Sequence, residues 1–431
     1  ERFHPKRWRR STLRWDGKSF EKKNDNILHS SILNSMKKIK RLLTILIGGG
    51  LFLFLFVYLV FFVFANPIDY HKKDSNYLAS DYLTSTSQLN LPVVAVTHIK
   101  TPEAVKAIYL TSGTASSVKA RERVLKSIAG TEINSIVLDI KDYTGKIVVK
   151  IDSPTLVKYD SFENRVPDIK NFIADLHSRG YYVIGHISVF QDNYLARRRP
   201  DLALKRKDNG AVWEDQKGMA WLDVSSEEVW DYAIAIAKES YAIGFDELNF
   251  DYIRFPSDGK ISNVFYPFYR PQEKSRSDAL QDFFVYLSKN MTAMGVPSSG
   301  NIFGLVTTNA PTNDMNIGQI FEKATPYFDY ICPMIYPSHY PAGYLGYKNP
   351  AKFPYEIIKN SLDGAVKRIK AQGLSPKKLR PWLQDFNLGA TYTASMVRAE
   401  KKGVYDAGVD SWLMWNASNK YTVSAYDKKQ N

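Results

Sequence analysis

Cysteine is almost absent from this sequence, since Cys332 is the only one among 431 residues. One cysteine cannot form an intrachain disulfide, so the fold must be stable through its hydrophobic core alone. The seven histidines form neither an HExxH nor an HxH group, and the sequence therefore predicts no metal site. No glycine-rich phosphate loop follows the first predicted strand, which argues against a dinucleotide-binding fold. We expect no cofactor.

An evenly spread positive charge is also lacking, although the formal net charge is +14. Residues 1–42 contain 13 Lys/Arg against 4 Asp/Glu, so about +9 of the excess lies before the first long apolar run. The remaining chain carries only about +5. Nucleic-acid binding requires Lys and Arg clustered on one face, and no such partner is expected.

One long apolar run is present, with 24 uncharged residues at positions 42–65. As a helix it is long enough to cross roughly 30 Å of hydrocarbon. Four basic residues lie at positions 37–41, whereas only Lys72 and Lys73 follow closely, so the N-terminus is predicted to be cytoplasmic. We expect a single-pass protein of the cell membrane. Its predicted parts are a basic cytoplasmic arm (1–41), a transmembrane helix (42–65), a linker (66–90) and an extracytoplasmic barrel domain (91–431).

After about residue 91, short β-branched and aromatic runs alternate with helical patterns. A glycine follows most of the helical patterns, where helices commonly end. Strands that alternate with helices form a parallel sheet, and eight such units suit a closed barrel. The sequence therefore predicts an α/β fold, a (β/α)8 TIM barrel preceded by one transmembrane helix. The predicted strands are Val105–Thr111, Ser135–Lys141, Tyr182–Phe190, Glu247–Ile253, Ile302–Thr308, Phe328–Tyr336, Arg380–Phe386 and Ser411–Asn416.

Active sites of such barrels lie at the C-terminal ends of the strands, so polar residues there are the candidates. In the fourth strand, alternation places Glu247, Asn249 and Asp251 on one face, with Asp251 nearest the end. Arg254 lies just beyond and is expected to keep Asp251 ionised. We therefore interpret Asp251 as a nucleophile or a general base.

Cleavage of a glycosidic bond requires a second carboxyl group, which donates a proton to the leaving oxygen. The sequence offers Asp142, Asp139, Glu247 and Asp385, in that order of preference. For each of them a structural role, as a loop cap or an ion-pair partner, is the alternative interpretation. Glu247 lies deepest in its strand and is the one for which an internal ion pair is favoured.

Further polar and aromatic side chains fall at the same strand ends and are predicted to bind substrate. Aromatic rings offer a large apolar face to a sugar ring, and amides, carboxylates and cations can hydrogen-bond its hydroxyls. A place in the core is the alternative for Tyr336, Trp415 and His186. The predicted binding residues are His186, Arg254, Tyr336, Trp382, Gln384, Asp385, Trp415 and Asn416.

Seven motifs follow one another along residues 105–420. They are YLTSGTA (109–115), LDIKDYTG (138–145), HISVFQD (186–192), FDYIRFP (250–256), PMIYPSHY (333–340), PWLQDF (381–386) and WNASN (415–419). Together they resemble an uncharacterised bacterial family of glycoside hydrolases, with α-amylase-like and polygalactosaminidase-like barrels as distant kin. In α-amylase-like barrels the fourth-strand Asp is the nucleophile, and Asp251 resembles it. Those enzymes carry a Glu acid at the fifth strand, where this sequence has none.

The predicted function is hydrolysis of a cell-envelope or extracellular polysaccharide by a membrane-anchored glycosidase that uses two carboxyl groups. Two alternatives are open. The first is a non-catalytic carbohydrate-binding barrel, which would tolerate Asp251→Asn with little loss of binding. The second is a transglycosylase or another polysaccharide-modifying enzyme, which would differ in its products rather than in the location of its site.

Overall fold

The computed structural model describes residues 95–429. Eight parallel strands of this part close into a barrel, because the first strand pairs with both the second and the last. The predicted barrel is thereby confirmed. Its strands are β1 (Lys106–Leu110), β2 (Ser135–Lys141), β3 (Tyr182–Ser188), β4 (Glu247–Asp251), β5 (Ser298–Phe303), β6 (Tyr330–Met334), β7 (Trp382–Gln384) and β8 (Trp412–Trp415).

Helices connect the strands and bury their apolar faces against the outside of the barrel. Glycines end several of them, and Gly295, for example, closes its helix with a φ of 67°, a conformation that a residue without Cβ adopts at little cost. The helices that follow β1 to β7 are Val118–Ile128, Ile169–Ser178, Glu227–Tyr241, Arg276–Met294, Phe321–Ala324, Pro354–Ala371 and Ala394–Asp406.

Shorter elements decorate the loops. A helix of one or two turns follows each of the first three strands, and two short strands extend the sheet beyond β2. A two-stranded antiparallel ribbon joins the loops that leave β3 and β4. The short helices are Ser112–Ser116, Pro154–Val157 and Leu195–Arg198, and the short strands are Ile147–Val149, Phe162–Val166, Lys205–Arg206 and Val264–Phe265.

The fifth strand differs from its prediction. The sequence favoured residues 302–308, but β5 ends at Phe303 and Gly304–Thr307 forms a 3-10 helix. The β-branched run was misleading because the inward positions of the real strand, Ser299 and Asn301, are polar. Both accept hydrogen bonds from an amide on β4, and a strand with polar inward positions does not show the expected hydrophobic pattern.

The floor of the barrel contains a buried ion pair. Arg380, just before β7, donates to Glu247 of β4 at 2.6 Å, and both side chains are almost fully shielded from solvent. Tyr182 donates to the same carboxylate at 3.1 Å, and the guanidinium also lies over the ring of Tyr330. Apolar side chains, together with the free thiol of Cys332, fill much of the remaining interior. The charges therefore stabilise the closed barrel only as a pair.

The predicted arm, transmembrane helix and linker, residues 1–90, lie outside the described residues. Among residues 95–429, no helix combines the length and the apolar character that a membrane crossing requires. At the start of the described chain, the backbone N–H of Ile99 donates to Asp246 at 2.7 Å. The chain therefore enters this domain at the N-terminal ends of the strands.

We predict that Glu247→Gln lowers the free energy of unfolding by about 3–5 kcal/mol, because it leaves Arg380 buried without a counter-charge. Urea denaturation of the purified protein would measure the change. The double variant Glu247→Leu/Arg380→Met, which removes both charges, should recover most of the loss. A single variant as stable as the wild type would show that the pair does not hold the barrel floor together.

Candidate active site

Three side chains from neighbouring strands meet at the C-terminal end of the barrel. His186 of β3 lies between Asp139 of β2 and Asp251 of β4. Its Nδ1 is 3.2 Å from Asp139 Oδ1, and its Nε2 is 3.2 Å from Asp251 Oδ2. One imidazole thus links two carboxylates. The pairing of adjacent parallel strands aligns the three positions, since Asp139 is in register with His186 and His186 is next to Asn249, two residues before Asp251.

The electrostatics of this triad favour an imidazolium between two carboxylates. Burial alone would lower the pKa of His186, but its hydrogen bonds to Asp139 and Asp251 outweigh burial and raise the pKa to about 10. Burial likewise works to raise the pKa of Asp251, yet the hydrogen bond and the charge of His186 hold that pKa below its usual value. Asp251 is therefore ionised at neutral pH.

Asp251 is the most accessible carboxylate of the triad, with 16% of its side chain exposed against 3% for Asp139. Its Oδ1 accepts a hydrogen bond from the backbone N–H of Tyr252 at 2.6 Å. Tyr252 itself has a φ of 51°, which is strained for a bulky residue. Strained backbone of this kind is often found at functional sites, and here it aims a carboxylate into the open end of the barrel.

Asp139 is held more tightly. Its Oδ1 accepts from the hydroxyl of Tyr109 at 2.6 Å as well as facing His186, and its Oδ2 accepts from the backbone N–H of Ser112 at 2.9 Å. Burial is the largest cause of a raised pKa at Tyr109, followed by the charge of Asp139, so the phenol keeps its proton. Asp139 therefore orients His186 from behind.

Asp142 is linked to Asp139 through Ser112, which donates hydrogen bonds to both carboxylates. Its Oδ2 accepts from Arg165 at 2.6 Å and from the hydroxyl of Ser112, whose backbone N–H binds Asp139. Its Oδ1 accepts from the backbone N–H and the hydroxyl of Thr144. Both oxygens are thus occupied by protein donors. To donate a proton to a sugar, Asp142 would have to exchange these contacts.

Two of the predicted site residues lie below this level, inside the barrel. Glu247 belongs to the ion pair with Arg380 in the floor. Trp382 is 2% exposed, and its indole N–H donates to Asn301 at 2.9 Å. The structure therefore does not bring either residue to the open end, where Asp251 lies.

Arg254 does not make the contact predicted for it. No ion pair joins its guanidinium to Asp251, and His186 occupies the expected position at that carboxylate. Arg254 instead stacks among aromatic rings, and its Nη1 donates to the carbonyl of Phe255 at 2.9 Å. Sequence proximity predicted Arg254 as the partner of Asp251, but His186 on the neighbouring strand β3 makes the contact.

Aromatic rings form one wall of the site. Trp415 lies 5.6 Å from Tyr336 and 4.9 Å from Phe386, measured between ring centroids. His339 adds a fourth ring, 5.3 Å from Tyr336. The sequence predicted Tyr336 and Trp415 but missed Phe386 and His339. His339 lies in the motif PMIYPSHY and Phe386 in the motif PWLQDF, and these motifs were the signal by which both residues could have been found.

The remaining predicted residues support loops around this wall. Gln384 is fully buried, and its amide oxygen accepts from the backbone and the hydroxyl of Ser338. Asp385 accepts from the backbone N–H and the hydroxyl of Thr422, and burial raises its pKa. Asn416 donates to the carbonyls of Asp385 and Lys420. These residues hold the loops in place and have few polar atoms left for a ligand.

No group of three or more His, Cys, Asp or Glu side chains within residues 95–429 is arranged to hold a metal ion. Both ring nitrogens of His186 face carboxylates. A cavity of about 630 Å³ lies at the opposite end of the barrel, beside the N-terminal ends of β1, β2 and β3. None of the predicted site residues lines it, and we place the site by its chemistry rather than by cavity size.

A model of the family described as "Putative glycosyl hydrolase domain" matches residues 107–421. This match spans the barrel and confirms the resemblance that the motifs indicate. No curated protein matches the chain.

Several solved structures are similar. A hypothetical protein from Ruminiclostridium thermocellum ATCC 27405 is 29% identical, with 45% of this chain and 96% of that chain covered and a TM-score of 0.40. The glycoside hydrolase domain of PelA from Pseudomonas aeruginosa is 12% identical, with 74% and 97% covered and a TM-score of 0.40. The catalytic domain of a β-amylase from Paenibacillus polymyxa is 9% identical, with 77% and 96% covered and a TM-score of 0.47.

We predict that the His186 ring stays doubly protonated at pH 8, since its folded pKa of about 10 lies above the ordinary value of 6.5. The stabilisation from its two hydrogen bonds is then fully present below about pH 6.5 and is lost as the pH rises through about 10. Imidazole ¹⁵N shifts of labelled protein would measure this, with His186→Gln to assign the signal.

His339 is the internal control for this titration. Burial lowers the pKa of His339, so its ring should be neutral at pH 8 in the same spectra. A neutral His186 at pH 7 would contradict the charged triad.

Proposed function

We propose, since this chain belongs to the glycosyl hydrolase family whose model spans residues 107–421, that the barrel hydrolyses a cell-envelope or extracellular polysaccharide. Asp251 is the nucleophile or base of this reaction. The observation that carries the proposal is the state of Asp251, an accessible carboxylate at the end of β4. His186 lowers its pKa, so it is ionised and ready to act as nucleophile or base.

His186 and Asp139 act as positioning residues. The imidazolium fixes the orientation of Asp251 Oδ2 and neutralises part of its charge before the substrate binds. Asp139, fixed by Tyr109 and Ser112, determines the position of the imidazolium. A preorganised carboxylate of this kind requires little rearrangement when positive charge develops on the sugar ring in the transition state.

For the proton donor, the second strand supplies Asp139 and Asp142. Asp139 shares the imidazole with Asp251, while Asp142 reaches the triad through Ser112. Neither carboxylate is free, because Asp142 accepts from Arg165 and Thr144 and Asp139 accepts from Tyr109 and Ser112. Asp142 is the one that the sequence favoured. The donor role therefore requires that one of these hydrogen-bond sets opens when the substrate binds.

The aromatic wall supplies the sugar-binding surface in this proposal. Tyr336, Phe386 and Trp415 lie in mutual contact at the ends of β6, β7 and β8. A sugar ring that packs on their partly exposed edges would extend across the open end of the barrel towards Asp251. Trp382, which is 2% exposed, lies below this wall and is not part of the proposed surface.

We further propose that the barrel works outside the cytoplasm on a membrane anchor. The support is the uncharged run 42–65 with four basic residues at positions 37–41 before it. The described chain begins at the N-terminal ends of the strands, at the opposite end of the barrel from Asp251. A tether attached at that end would leave the site free to meet a polymer.

We predict that Asp251→Asn reduces the release of reducing ends from a susceptible polysaccharide by at least a hundredfold, because the ionised oxygen is lost. A screen against bacterial and amino-sugar polysaccharides would find the substrate. Asp139→Asn and Asp142→Asn complete the panel. The variant of the true donor should lose activity on the polysaccharide but retain it on an aryl glycoside whose leaving group requires no proton.

Asp246→Asn is the matched control, because Asp246 lies just before β4, at the other end from Asp251, and binds backbone N–H groups there. Its activity should match that of the wild type at temperatures where both are folded. Glycan binding that survives in Asp251→Asn, with no release by the wild type, would identify a carbohydrate-binding barrel. Release of transferred products instead of free reducing ends would identify a transglycosylase.

The anchor makes a separate prediction about topology. In spheroplasts of a bacterial host, external protease should digest the barrel and leave the N-terminal arm, because positive charge at positions 37–41 keeps that arm inside. Immunoblots with tags at both ends would measure this. Lysed cells are the control for accessibility of the arm. A barrel that is digested only after lysis would overturn the proposed location.

A further inference from the structure

Within residues 95–429, Arg254 lacks the carboxylate partner that the other buried cations have. The other Lys and Arg side chains that are buried within residues 95–429 each form an ion pair with a carboxylate. Arg254 is 8% exposed and forms no ion pair within the same range. A buried cation without a direct ion pair is costly, which leaves a place for an anion that binds during function. The four paired residues are Arg121, Lys141, Arg380 and Lys401.

The donors of this guanidinium are largely free. Nη1 donates to the carbonyl of Phe255 at 2.9 Å, while Nε and Nη2 have no acceptor among the described residues. Fully enclosed nitrogens without a partner occur elsewhere, at Arg276 and Arg380, but the nitrogens of Arg254 are not among them. The unpaired donors of Arg254 therefore remain in contact with solvent.

Aromatic rings fix the orientation of the Arg254 guanidinium group. The guanidinium carbon lies 4.7 Å from the ring centre of Trp221, 4.8 Å from that of Phe303 and 5.6 Å from that of Tyr252. Tyr252 follows Asp251 directly, and Phe303 ends the neighbouring strand β5. Rings that stack on a guanidinium leave its edge free for a planar anion, and the side chain loses little entropy when it binds.

We propose that Arg254 forms an anion subsite, which binds the carboxylate of an acidic sugar residue next to the bond that Asp251 attacks. This inference rests on the proposed function, since it names the class of substrate for the same site. The carboxylate would belong to a uronic acid or to the lactyl ether of an amino sugar. Either one accepts two parallel hydrogen bonds from a guanidinium.

The surrounding charges favour a carboxylate over a dianion. Asp251, Asp258 and Asp215 act on the guanidinium through space, although none of them forms an ion pair with it. A doubly charged phosphate would meet stronger repulsion from these groups than a singly charged carboxylate would. A neutral sugar could offer hydroxyl oxygens to these donors but no negative charge, so it would leave the buried cation without a counter-charge.

The test is equilibrium binding by the full chain, purified in mild detergent, in an Asp251→Asn background that prevents turnover. The probes are oligogalacturonate, glycan strands that contain muramic acid, and the carboxyl-reduced form of each. We expect at least tenfold tighter binding of one acidic probe than of its reduced form. Arg254→Gln should abolish this difference and leave the affinity for the reduced probe unchanged, while Arg254→Lys should retain part of it.

Arg121→Gln is the matched control, because Arg121 is also buried and stacked, over Phe172 at 4.1 Å, but is paired with Asp168. It should preserve the preference for the acidic probe. Equal affinity for acidic and reduced probes, or a preference that survives Arg254→Gln, would overturn the subsite. Reducing-end release by the wild type would then still support the hydrolase. A preference that depends on Arg254 without any release would support the subsite and refute the hydrolase.

Discussion

Charge compensation inside the barrel is the constraint on which the rest of this structure depends. The interior is sealed by strands on all sides, and an isolated charge there would cost several kcal/mol. At the floor, Glu247 and Arg380 neutralise each other. At the open end, His186 serves two carboxylates. The same rule applies at both ends, but the Asp251 side chain at the open end is 16% exposed, whereas both charged side chains of the floor are almost fully buried.

The histidine accounts for how two carboxylates can lie close together. Without it, Asp139 and Asp251 would repel each other, and one of them would take up a proton. With an imidazolium between them, Asp251 stays ionised although it lies in a mostly buried position. Asp139 is itself fixed by hydrogen bonds from Tyr109 and Ser112, and its contact with His186 fixes the orientation of the imidazole ring. Asp251 is the member of the triad that is most exposed to solvent.

How much of this could be predicted from sequence depended on the range of the interactions involved. Period-two alternation correctly put Glu247, Asn249 and Asp251 on the inner face of β4, because that pattern is local. The contact between His186 and Asp251 joins two strands 65 residues apart, and sequence proximity indicated Arg254 instead. Depth was not predictable either. Trp382 and Trp415 both lie in aromatic motifs near strand ends, yet only Trp415 reaches the rim.

The same local reasoning misplaced the fifth strand, and the reason lies in the barrel interior. Ser299 and Asn301 are polar residues at inward positions, which a hydrophobic pattern does not reveal. Both accept hydrogen bonds from the amide nitrogen of Asn249. Patterns record burial against apolar neighbours, whereas these residues are buried against polar ones. Of the aromatic wall, the sequence predicted Tyr336 and Trp415 but not Phe386 and His339. The last two become neighbours of the others only when the loops fold.

Charge counting also explains the absence of a carboxylate from β5. Asn301 accepts hydrogen bonds from Trp382 and Asn249, and it helps to keep the pKa of Asp251 low. A carboxylate at this position would add a third negative group to Asp139 and Asp251, while His186 supplies one positive charge. The amide keeps the hydrogen bonds without adding charge. In the proposed mechanism the proton donor therefore comes from another strand, and the second strand is the one that the same histidine already contacts.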